Sequence, residues 1–172
     1  MRACSALFAI LVVSLASAAE AQSRRALAEL GRLEPPAYAA PLTRAGEPAP
    51  VFDEAMAAYQ RRDYQRTADL LRRFAAVEPE DPAGNFFLAV SLMMIDEVGE
   101  AEDRLGVVVA GADAATSAFV DAAKFVMAKA SIRTGRLDAA GRELERLSRG
   151  ESLFARDAAL LLPKVRALEK RR

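Results

Sequence analysis

The chain has 172 residues, with 24 Lys plus Arg balancing 24 Asp plus Glu, no His, and one Cys at position 4. That length suits roughly one domain, and zero formal charge gives no long-range attraction to nucleic acid or anionic lipid. Without His, and with Cys4 in a segment expected to be removed, the mature chain has no imidazole general base, thiolate nucleophile, disulfide or ordinary zinc or copper site.

The first element is a signal peptide over residues 1–21. Arg2 supplies a positive start, Leu7 to Leu15 an apolar core, and Ala19-Glu20-Ala21 a small-x-small site with the cut before Gln22. The protein is therefore expected in the periplasm or outside the cell. The alternative is a membrane anchor formed by the uncleaved signal. Residues 22–50 follow as a short helix (Ser23 to Leu33) and an arm whose five prolines between Glu34 and Pro50 forbid helix.

From Val51 the pattern turns helical, with helices expected at 51–61, 64–77, 83–95, 98–110, 115–133, 137–148 and 152–169. A kink or break is expected near Leu162, because Pro163 lacks a backbone donor. The chain also repeats. Ala55 to Leu71 aligns with Ala89 to Leu105 at an offset of 34, and that stretch aligns with Ala128 to Leu144 at an offset of 39. Small residues recur at Ala89 and Ala128, and again at Ala101 and Ala140, where helices must approach closely. The first copy is less regular: Thr67 stands where the others have Ala101 and Ala140, and Glu54 where they have Leu88 and Met127.

The 34-residue period, the large-residue–Ala pairs and the turns Arg62-Asp63-Tyr64 and Thr134-Gly135-Arg136-Leu137 resemble the tetratricopeptide repeat. The resemblance covers about 100 residues and implies an all-α superhelix. It would comprise three helix pairs over residues 51–150, then a capping helix and basic tail over 151–172. A looser likeness runs through Pro35-Pro36-Ala37-Tyr38, Phe52 to Tyr64, Phe86-Phe87-Leu88-Ala89 and Ala128-Lys129-Ala130. There the chain is similar to the extracytoplasmic repeat module of bacterial zinc-finger anti-sigma-like membrane proteins, though it lacks their zinc finger.

The first helices of such repeats line a concave face, and positions i, i+4 and i+7 project into it. That gives Phe52, Met56 and Tyr59; Phe86, Val90 and Met93; and Phe125, Lys129 and Ile132. The expected site is thus an apolar groove with one cation, suited to a protein or peptide partner. Alternatively, the groove is filled by residues 22–50 or by the C-terminal helix, making the chain a structural accessory subunit. No catalytic, cofactor or metal residues are assigned, and no nucleic-acid partner. A glycan hydrolase using carboxylates alone is a remote third reading. The acidic run Asp96, Glu97, Glu100, Glu102 and Asp103 is read as a solvated helix N-terminus. Lys164, Arg166, Lys170, Arg171 and Arg172 are read as a cation-rich helix end.

Overall fold

The computed structural model describes residues 20–38, 50–111 and 117–171, and among them the regular structure is all helix, with no strands. Helix α1 covers residues 20–30. It is followed by α2 (Pro50–Gln60), α3 (Tyr64–Ala75), α4 (Pro82–Met94), α5 (Val98–Ala110), α6 (Ser117–Arg133), α7 (Leu137–Arg149) and α8 (Ala155–Glu169). These bounds lie within three residues of those expected. Among the described residues no helix is long and apolar enough to cross a membrane. The signal-peptide expectation lies outside the described residues, save Glu20 and Ala21.

Local chemistry sets several helix starts. Asp63 accepts from the Arg66 N–H at 3.1 Å, and Asp81 accepts from the Gly84 N–H at 2.6 Å with Pro82 opening the helix behind it. The break allowed for near Leu162 does not occur: helix α8 runs unbroken through Pro163. Pro163 and Ala159 are both exposed, so the carbonyl that loses its donor lies on the solvent side, where it is open to water.

The turns inside the helix pairs are one motif used three times. Arg62, Asp96 and Gly135 have left-handed φ of 62°, 68° and 77°. After each, a backbone N–H reaches back five residues: Asp63 to Ala58 O (3.0 Å), Glu97 to Leu92 O (2.9 Å) and Arg136 to Ser131 O (2.8 Å). This is the Schellman termination, which satisfies carbonyls left over at a helix end. Its positions are spaced 34 and 39 residues apart, matching the sequence offsets.

Each helix from α2 onward packs against the next in the chain, and α4 also touches α6. The repeated small positions lie at these crossings. Ala55, Ala89 and Ala128 are buried, as are Thr67, Ala101 and Ala140. Thr67 fits because its hydroxyl donates to the Asp63 carbonyl at 2.7 Å, leaving no unpaired polar group. Leu71, Leu105 and Leu144 fill equivalent core sites, each worth about 1.5–3 kcal/mol of apolar burial. The less regular first copy therefore packs as fully as the other two.

The acidic run is not a freely solvated helix end. Arg72 of α3 grips Glu97 and Glu100, Arg133 of α6 pairs with Asp96, and Arg136 pairs with Glu102. The start of α5 is thus held from both sides by arginines of the neighbouring copies. The Arg72 hydrogen bond holds the Glu100 carboxyl below the usual carboxylate range. In the basic C-terminal run, Arg166 lies over Gly141 and faces Asp138, Glu145 and Glu169. Arg172 lies outside the described residues.

Candidate functional site

Helices α2, α4 and α6 supply the face on which the groove residues stand. Seven of those nine side chains are buried: Phe52, Met56, Tyr59, Phe86, Val90, Met93 and Ile132. Phe125 and Lys129 are half-buried. Their neighbours explain this. Phe86 packs edge-on to Phe87 and Phe119, with ring centroids 5.4 and 5.6 Å apart. Phe125 stacks on Phe154, just ahead of α8, at 5.0 Å.

The chain's own N-terminal segment crosses this face. Leu27 belongs to the apolar cluster of the third copy, with Ala128, Ile132 and Leu144. Leu33 belongs to the cluster built around Phe52, Phe86 and Phe87. Tyr38 sets its ring edge against Phe52 at 6.2 Å and against Phe87 at 5.4 Å. Residues 27–38 therefore run from the third copy back to the first, opposite to the order of the repeats.

Side-chain donors fix the backbone of this segment. Lys129 donates to the Leu30 carbonyl at 3.0 Å, and Tyr59 donates to the Pro36 carbonyl at 2.8 Å. Burial lowers the Lys129 ammonium below the ordinary lysine value, opposed by the charges of Asp157 and Glu34. Burial also raises the Tyr59 phenol, which therefore stays a donor at neutral pH. Gly31 allows the closest approach. A Cβ there would lie 2.9 Å from the Leu27 carbonyl oxygen and 3.1 Å from that of Lys129, and would collide with Cγ of Arg133.

Two open clefts flank the arm. One, of about 710 Å³, lies between the arm, α6 and α8, with Phe125, Lys129, Phe154, Leu160 and Lys164 in its walls. The other, of about 630 Å³, lies by Tyr59, Gln60, Arg62, Tyr64 and Met94. Arm residues 32–36 line both. Two of the four exposed large apolar side chains among the described residues line these clefts, one in each. Leu160 and Met94 stand in the cleft walls, and Leu153 adjoins Phe154. Among the described residues no three acidic side chains converge to hold a metal ion.

Sequence reasoning did not find Phe87, Phe154 or Gly31. Phe87 sits one place past a groove position, and the i, i+4, i+7 spacing from Phe86 passes over it. Comparison with known protein families, curated proteins and solved structures gives no match.

Proposed function

We propose that the chain is an exported, non-catalytic protein-binding scaffold of tetratricopeptide type, and that its own arm fills the first-helix groove. Three turns of one geometry at 34- and 39-residue spacing support the repeat reading, together with small buried residues at equivalent crossings. The observation that carries the function is the arm itself. An apolar face wide enough to hold an extended segment, with open clefts and exposed Leu160 and Met94 beside it, suits recognition of another chain. Export rests on Arg2, the Leu7–Leu15 core and the Ala19-Glu20-Ala21 site. The depth at which Leu27 and Leu33 are buried favours a second reading, an accessory subunit whose groove never opens.

Site-specific photo-crosslinking in the native envelope tests the scaffold reading. A photoreactive side chain at position 94 or 160 should capture a defined partner. The same group at Arg73, exposed on α3 away from both clefts, should not. Equal capture at all three positions, or none at any, would overturn it.

A further inference from the structure

The arm occupies the groove in the manner of a bound peptide. Residues 32–38 form neither helix nor strand. The groove reads them through one side-chain donor to a backbone carbonyl, the Tyr59 hydroxyl to Pro36, which any extended chain presents, and through two side-chain seats. Leu33 is buried in the first-helix cluster, and Tyr38 makes edge-to-face contacts with two rings. Pro35 and Pro36 stiffen the stretch between these seats, which lowers the entropy lost on binding. The exposed Arg32, Glu34 and Ala37 face away from the core. The groove is also wider than its occupant, because the same residues 32–36 wall clefts on both sides.

We propose that residues 33–38 stand in for a segment of a partner protein, which binds by taking their place. The segment's chemistry is that of the arm: extended, with an aliphatic side chain, a proline two or three positions on, and an aromatic ring five positions on. This rests on the scaffold reading above. The clefts let an incoming chain settle beside the arm before the arm leaves. Helix α1 remains docked through Leu27 and the close approach at Gly31, so the exchange is confined to the extended part. The arm is tethered at both ends, by α1 and by residues 39–49 leading to α2. A short tether sets an effective concentration of the order of millimolar, so the resident segment masks the site from a free competitor of equal quality.

The probe is a fluorescein-labelled peptide of residues 31–38, titrated by anisotropy against the full chain. A full chain carrying Leu33→Ser and Tyr38→Ser should bind it at least about tenfold more tightly than the unaltered chain, because the internal competitor is weakened. Adding Tyr59→Phe to that variant should weaken the peptide by roughly three- to tenfold, the loss of one hydrogen bond. A peptide with its tyrosine replaced by alanine should also bind less well. A second chain, with a protease site inserted within residues 39–49 and cut after folding, removes one tether without altering any groove residue. It too should bind the peptide more tightly than when uncut, though by less than the double variant, because α1 still tethers the arm. If the cut chain keeps its helical circular dichroism and binds the peptide no better than the uncut chain, the arm is permanent core and the proposal falls. Crosslinks from positions 94 and 160 that survive that result would leave the scaffold reading standing.

Discussion

Gly31→Ala should loosen the arm and destabilise the whole chain. Gly31 is buried where the arm leaves α1, and its N–H donates to the Leu27 carbonyl at 2.8 Å. A new Cβ would meet two backbone oxygens at 2.9 and 3.1 Å, inside ordinary contact, as well as the Arg133 side chain. Arg133 cannot swing aside cheaply. Its guanidinium donates to the Met93 carbonyl at 2.6 Å and pairs with Asp96. Overpacking of this kind costs about 1–3 kcal/mol. Alanine returns about 0.4–1 kcal/mol by restricting the unfolded chain, so the net loss is roughly 1–2 kcal/mol. For a domain of this size that lowers Tm by about 2–8 °C. The control is Gly106→Ala in α5, where a Cβ meets nothing within 4 Å. It should stabilise by about 0.5–1 kcal/mol through helix propensity alone. Circular-dichroism melts read both, and amide exchange on residues 32–38 should quicken only in Gly31→Ala. A Gly31→Ala chain that melts as high as Gly106→Ala would refute the close approach.

Phe86→Ala should behave as a core truncation, costing about 3–5 kcal/mol in chemical denaturation; a shift below about 1 kcal/mol would mean that the ring is not packed against Phe87 and Phe119. Ala89→Leu and Ala128→Leu should each cost about 1–3 kcal/mol at their helix crossings, and melts unchanged by both would show that the crossings are loose. Acid should destabilise the chain partly through Glu100. Its folded pKa is depressed by Arg72, so its contribution is present above the unfolded carboxylate value and is lost as pH falls through the folded value. Glu100→Gln should therefore be less stable at neutral pH and should show a shallower loss below about pH 4.5, by melts across pH; an acid limb identical to wild type would remove the Arg72 clasp from the account.

The helical pairs were legible because their signals are local and periodic. Apolar spacing marks α3 and α7, and the offsets of 34 and 39 place Arg62, Asp96 and Gly135 at one turn geometry. The break expected at Pro163 failed because the rule concerns the backbone donor, whereas the outcome depends on whether the freed carbonyl faces water. The arm's place was not legible. A proline-rich stretch has no period, so nothing in Leu33-Glu34-Pro35-Pro36-Ala37-Tyr38 says which face it will meet. Its composition allows it as one possible filler of the groove, but the residues that seat it, Tyr59 and Lys129, lie 23 and 99 positions away from their partners. The acidic run before α5 shows the same limit. Its charges suit a helix N-terminus, yet Arg72 stands 25 positions before Glu97, and Arg133 37 positions after Asp96.

Arg133 connects the two parts of the molecule that the sequence treats separately. It ends α6, in the third copy, and its guanidinium reaches the last turn of α4 through the Met93 carbonyl and the left-handed Asp96 through the carboxylate. Its aliphatic stem is the surface against which Gly31 lies. One side chain therefore sets the spacing of the second and third copies and forms part of the seat of the arm. The desolvation of a guanidinium that is only 24% exposed is offset by a backbone carbonyl and a carboxylate at once, so the side chain has little freedom to adjust. Any movement that separates α4 from α6 must shift the Arg133 stem, and with it the end of α1. The joint at Gly31 is therefore coupled to the angle between repeats, while residues 32–38 beyond it are tied mainly through Leu33, Tyr38 and the Tyr59 hydroxyl. This division places the fixed anchor of the arm on α6 and its exchangeable part over α2 and α4.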